Sequence, residues 1–145
     1  KTFVDMPMKA DPEMILEAFS KLSHEEYQDA EVLERFVDQW FSPPGDDIES
    51  WCPPDFQTRP PLVAQISKPV WRDWAVEINK IWPILGRKHK TQVHQAPQRH
   101  SAIARYHGMI VPGGRFRETY YWDTYWIVRG LLLCGMFDTA RGIVE

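Results

Sequence analysis

The fold turns on residues 111–126, which read Val111-Pro112-Gly113-Gly114-Arg115-Phe116-Arg117-Glu118-Thr119-Tyr120-Tyr121-Trp122-Asp123-Thr124-Tyr125-Trp126, and on the apolar run that follows to Leu133. Pro112-Gly113-Gly114 marks a tight turn, because proline fixes one dihedral and two glycines open backbone conformations closed to other residues. From about Tyr120 through Leu133 the chain is apolar almost all round, which predicts a helix buried among other helices. Arg129, set in that run, calls for a partner such as Asp123 or an acid from the first segment. Asp138 is read as the cap of one more helix.

Working outward, the same helical period recurs. Asp11-Pro12 reads as an N-cap with proline at the first helical position, and Met14, Ile15, Ala18, Phe19 and Leu22 give a helix over about 12–22. Ser23 and Glu26 form a capping box for a second helix, whose apolar face is Leu33, Phe36, Val37, Trp40 and Phe41. Ser42-Pro43-Pro44-Gly45 stops it, and the chain reads as loop to Pro61. A third helix starts near Ser67-Lys68-Pro69 and carries Trp71, Trp74, Ala75, Ile78 and Ile81, with Trp71 and Trp74 read as core; Pro83 disturbs its end. A polar connection runs from Gly86 to Ser101. The class is all-α, with only weak strand signals at Gln92-Val93-His94 and Met109-Ile110-Val111.

Composition excludes several classes. With 145 residues, 43% hydrophobic and 26% charged, the chain has the size and make-up of a globular domain and not of a disordered or collagen-like segment. Residues 1–59 hold 14 acidic and 5 basic side chains, and residues 60–145 hold 6 and 12. The one tight basic cluster, Arg87-Lys88-His89-Lys90, is too short to track phosphates and reads as a solvated loop, so no nucleic-acid partner is expected. Two cysteines, Cys52 and Cys134, form no CxxC motif, and their spacing leaves open whether they are bridged. Five histidines include no His-x-x-x-His pair, so no metal is expected; no cofactor is assigned. Lys1-Thr2-Phe3-Val4-Asp5 lacks the apolar core of a signal peptide.

The chemistry sits in the stretch quoted first. Guanidinium forks (Arg115, Arg117), carboxylates (Glu118, Asp123) and flat rings suit a polyhydroxylated ligand: arginine donates paired hydrogen bonds, aspartate accepts them, and aromatic faces pack on sugar C–H groups. The same residues also suit structural ion pairs and an aromatic core.

Residues 112–125 fit every fixed position of Pro-Gly-Gly-Arg-Phe-x-Glu-x-Tyr-x-Trp-Asp-x-Tyr, the first sequence motif of the trehalases, glycoside hydrolase family 37. Lys1-Thr2-Phe3-Val4-Asp5-Met6 resembles that family's N-terminal segment without its first two residues, and the intervening prolines and tryptophans resemble the animal and insect type. The resemblance implies that residues 1–145 are the N-terminal portion of a catalytic domain cut at both ends, an incomplete part of an (α/α)6 toroid. It further implies hydrolysis of α,α-trehalose to two glucoses with inversion, which requires one carboxylic acid to protonate the leaving oxygen and a second to activate water.

Residue by residue, the motif implies a sugar pocket with Arg115, Trp122 and Asp123, walled by Phe116 and Tyr120. Glu118 and Asp123 are not read as the acid–base pair. Five residues apart on a helix they would point about 140° apart, and the family's catalytic Asp and Glu lie beyond Glu145. The second family motif, Gln-Trp-Asp-x-Pro-x-Gly-Trp-Ala-Pro, is absent. No catalytic residue is therefore assigned within the chain, and the isolated segment is expected to be inactive. The implied partners are trehalose and the remainder of the catalytic domain, at a secreted or cell-surface location with membrane anchoring open to the whole protein. The alternative is a truncated, non-catalytic sugar-binding or structural paralogue.

Overall fold

The computed structural model describes residues 3–145; Lys1 and Thr2, which open the N-terminal segment quoted above, lie outside them. In chain order the described helices are α1 (Pro12–Ser20), α2 (Ala30–Trp40), α3 (Leu62–Gln65), α4 (Pro69–Asn79), α5 (Ile81–Leu85), α6 (Thr91–Gln95), α7 (Tyr121–Leu133) and α8 (Phe137–Val144). The strands are β1 (Ile48–Ser50), β2 (Gly86–His89) and β3 (Met109–Ile110). The chain is mostly helical, as expected, and a small sheet is added to the expected all-α class. The chain divides into two compact units: residues 1–47 with 90–104, and residues 48–89 with 105–145.

The first unit is built on α1 and α2. The expected capping box forms, with the Ser23 N–H donating to Glu26 Oε2 at 2.7 Å and the Glu26 N–H donating to Ser23 Oγ at 3.3 Å. It opens only a single 3₁₀ turn, Glu26–Gln28. The longer helix restarts after Asp29, whose carboxylate accepts from the Glu31 and Val32 N–H groups and so satisfies two orphan donors. Asp11 stands at the N-cap position of α1 but makes no cap bond. Its Oδ1 is taken by Arg99 Nε at 2.9 Å and Gln98 Nε2 at 3.0 Å. The Arg99 hydrogen bond, followed by that of Gln98, holds the Asp11 carboxyl below its ordinary range. Apolar packing runs through edge-to-face rings: Phe3 on Phe41 at 4.9 Å and Phe19 on Phe36 at 5.4 Å. Gln92-Val93-His94, a weak strand signal, lies instead inside α6, with Val93 fully buried.

The second unit centres on α7 and α8, which pack beside a three-stranded antiparallel sheet in the order β1-β2-β3. Ile48 pairs with His89 and Ser50 with Arg87, while Gly86 pairs with Ile110. The polar run Arg87–His89 is thus the central strand and not a solvated loop. Its charges are absorbed locally: Lys88 meets Glu49, its opposite number across the ladder, at 3.1 Å, and Arg87 donates to the Ile84 and Gly86 carbonyls. The Met109–Ile110 signal is a true strand. Ile110, Leu131, Cys134, Met136, Ala140 and Ile143 form the core, with Trp82, Leu85, Ile127 and Val128 packed around it. Each large side chain fully removed from water there stabilises the unit by about 1.5–3 kcal/mol.

α7 ends in a left-handed cap: Gly135 has φ +76°, its N–H donates to Leu132, and the Met136 N–H reaches back to Leu131 at 2.9 Å. α8 begins at once, and its first amides are capped from far away. Asp55 Oδ2 accepts from the Asp138 and Thr139 N–H groups at 2.9 and 3.0 Å, and Asp55 Oδ1 accepts from the Thr139 hydroxyl. Asp138, expected to cap this helix, instead lies in its first turn. Burial opposes ionisation of Asp55, but the bonds from Thr139 and Asp138 outweigh it and hold the carboxyl below its ordinary value. Cys52 and Cys134 are both free thiols, the first exposed and the second buried with the Trp82 indole N–H donating to its Sγ at 3.4 Å.

The reading of Trp71 and Trp74 as core is corrected. They lie on α4 with 53% and 59% of their surface exposed, touching each other edge-to-face at 5.8 Å. Their helical spacing is real, but the face they form is not covered within the described residues. α4 itself stops at Asn79, and Pro83 is accommodated in the first turn of the separate helix α5, where its missing N–H costs no bond.

Candidate functional site

The site grows out of β3. After Ile110 the chain continues the ladder, with the Val111 N–H donating to Leu85 at 3.1 Å. Gly113 and Phe116 then form a reciprocal pair: the Phe116 N–H donates to the Gly113 carbonyl at 3.1 Å and the Gly113 N–H to the Phe116 carbonyl at 3.3 Å. The loop between them is two residues, Gly114 and Arg115. Gly114 has φ +60°, and no non-glycine residue among those described has positive φ, which is the II′ pattern with glycine first. Sequence alone gives the turn; the structure adds that Arg115 is its apex.

Three of the five sequence-assigned residues come together here. The Arg115 guanidinium carbon lies 5.1 Å from the centre of the Phe116 ring, and Phe116 meets Tyr120 edge-to-face at 5.7 Å and 87°. Tyr120 is the N-cap residue of α7, its carbonyl accepting from the Thr124 N–H at 2.8 Å. Trp122 and Asp123 follow in the first turn of that helix. Trp122 is 70% exposed and packs against Trp126 at 6.0 Å. Asp123 is partly buried near the positive end of the helix dipole, where a negative charge is favourable. Arg115, Arg117 and Asp123 make no ion pair among the described residues.

Glu118 is not on α7 at all, since the helix begins at Tyr121. The angular separation expected between Glu118 and Asp123 on one helix therefore does not apply. Arg99, upstream of the motif, is engaged by Asp11. Among the described residues Arg129 meets aromatic rings and no carboxylate, lying 5.7 Å from the Tyr125 centre and 5.6 Å from that of Trp126, with Nη1 donating to the Tyr125 hydroxyl at 3.4 Å.

A cleft of about 420 Å³ opens along the flank of α7. Among its lining residues are Arg105, Tyr120, Tyr121, Tyr125 and Arg129. Of the five assigned residues only Tyr120 reaches it; Arg115, Phe116, Trp122 and Asp123 do not line it. Arg105 was not foreseen: its Nη2 donates to the Gly142 and Ile143 carbonyls at 3.2 and 2.6 Å, closing the C-terminal end of α8. No local pattern marks that role, because the partner carbonyls lie 37 and 38 residues away. Among the described residues, no three His, Cys, Asp or Glu side chains cluster as a metal site would require.

The trehalase family model matches residues 1–145. The trehalase of Apis mellifera is 45% identical over 99% of this chain and 23% of its own length. Those of Oryctolagus cuniculus and Homo sapiens are 42% and 41% identical over 100% of this chain, each covered over 25% of its own length. The chain thus spans about a quarter of the length of the curated relatives it matches.

Proposed function

Since the chain belongs to the trehalase family, we propose that the protein carrying it hydrolyses α,α-trehalose to two glucose molecules with inversion, and that residues 111–126 supply part of the substrate pocket. In this reading Arg115 donates a pair of hydrogen bonds to sugar hydroxyls, Asp123 accepts from them, and the open face of Trp122 packs on the pyranose C–H groups. Phe116 and Tyr120 wall the same region. The observation that carries this is the state of Arg115: a planar five-donor group at the apex of a rigid turn, with no hydrogen bond or ion pair among the described residues.

The acid and the base belong to sequence beyond Glu145, so the 145-residue chain alone releases no glucose. The parent fold is an (α/α)6 toroid, and its remaining helices cover what this segment leaves bare. Supporting that is the exposed stripe of α7, where Trp122, Tyr125, Trp126, Leu132 and Leu133 face away from the core that holds Leu131. Location outside the cell or at its surface completes the proposal.

The test is Arg115→Lys in the full-length enzyme. Replacing a fork by a point charge costs roughly 2–5 kcal/mol in transition-state binding, about 30- to 4,000-fold in kcat/KM for trehalose. A near-normal kcat/KM removes Arg115 from the pocket.

A further inference from the structure

The way Arg115 is mounted carries a second conclusion. Adding a Cβ at Gly114 would meet nothing within 4 Å, so space does not demand glycine there. Its φ of +60° does, because an L side chain rarely adopts it. The turn is closed at both ends by the Gly113–Phe116 hydrogen bonds, which restrain the Arg115 backbone. The side chain is restrained as well: its guanidinium lies over Phe116, and Phe116 is held edge-on by Tyr120 at the start of α7. A continuous mount thus runs from helix to ring to guanidinium, whose donors make no hydrogen bond or ion pair among the described residues.

We infer that Gly114 and Phe116 are positioning residues, which hold the Arg115 guanidinium ready for a vicinal pair of sugar hydroxyls before substrate arrives. The inference rests on the reading of Arg115 as a substrate-binding group. Arginine loses much rotamer freedom when it is fixed, and a turn and a ring that fix it in the free protein remove that loss from the binding step. Gly114 acts through a dihedral angle alone, and Phe116 acts through the face of its ring.

The test is a double-mutant cycle in the full-length enzyme, read as kcat/KM for trehalose. Gly114→Ala lowers it about 10- to 100-fold in the Arg115 enzyme and by less than about twofold in the Arg115→Lys enzyme. Phe116→Leu, which keeps bulk and loses the ring face, costs more in the Arg115 enzyme than in the Arg115→Lys enzyme, where only its part as pocket wall is left to lose. Gly114→Asn, whose side chain tolerates left-handed backbone, recovers a substantial part of the activity. Should Gly114→Ala fail to fold, the Asn variant and a D-alanine introduced at 114 by protein ligation decide the matter, since D-alanine favours the required φ and restores full activity. Equal losses from Gly114→Ala in both backgrounds overturn the inference, as does a normal kcat/KM for that variant. If Arg115→Lys is itself without effect, the pocket reading has failed and this one with it. If Arg115→Lys is costly but Gly114→Ala is not, only the positioning role is lost.

Discussion

Replacing Asp55 by alanine removes three acceptor contacts at the start of α8 and leaves nothing local to take them over. The Asp138 and Thr139 N–H groups lose their cap, a change that costs about 0.5–2 kcal/mol. The Thr139 hydroxyl, on a residue only 3% exposed, is left unpaired for about 1–3 kcal/mol more. Taken together the helix start is weakened by about 1.5–5 kcal/mol. At tenfold per 1.4 kcal/mol, amide hydrogen exchange over residues 138–142 should accelerate roughly 10- to 4,000-fold at fixed pH. The acid dependence has a definite sign. Asp55 titrates below its ordinary value of 3.8 when folded, so its contribution is complete above that pH and fades as pH falls through the lower, folded value. The difference between Asp55→Ala and the parent should accordingly be flat from pH 5 upward. Asn at this position, keeping one acceptor oxygen, falls between the two. Acceleration of less than threefold, or acceleration spread evenly over the sheet and α8, would refute the idea that this carboxylate caps the helix.

Two other outcomes follow from single side chains. One thiol per chain, that of Cys52, should react quickly with a disulfide reagent under native conditions and a second, Cys134, only in denaturant; two fast thiols would mean that the core around Trp82 opens readily. Burial, opposed by Asp47, pushes the His100 imidazole below its ordinary 6.5. The unfolded chain therefore takes up the proton first, and stability drops as pH falls below about 6.5. The shift in urea midpoint between pH 7.5 and 5.5 should shrink in His100→Gln, and an unchanged shift would exclude His100 as its source.

What sequence could disclose depended on how far away the partner lay. α1 and α7 are written in neighbouring residues, through period and proline, and appear where those signals put them; the Ser23–Glu26 box forms too, but opens a single 3₁₀ turn and leaves the long helix to Asp29. The strand Arg87–His89 is not so written. Its residues are polar, and only Glu49 and the ladders to β1 and β3, more than twenty residues off, make them a strand. The cap of α8 misleads for the same reason, since an aspartate at the right place in sequence, Asp138, is displaced by one 83 residues earlier. Trp71 and Trp74 illustrate a different gap: spacing shows that a face is apolar and says nothing about whether the chain itself covers it. The candidate site divides likewise. The turn and the N-terminus of α7 were legible as a motif, whereas the stacking of Arg115 on Phe116 and the closure of α8 by Arg105 depend on three-dimensional placement.

The sheet has a bearing on the order in which the chain assembles. Pairing β2 with β3 closes a loop of 24 residues, from Gly86 to Ile110, while pairing β1 with β2 closes one of 41, from Ile48 to His89. Chain entropy favours the shorter closure by about 0.5 kcal/mol, so in a refolding chain the β2–β3 contact has the head start. That contact leads directly into Val111 and the Gly114 turn. The part of the sheet that closes with least entropic loss is therefore the part that sets down the candidate site, and the hairpin bearing Arg115 can take shape before the acidic half of the chain has settled around its own helices.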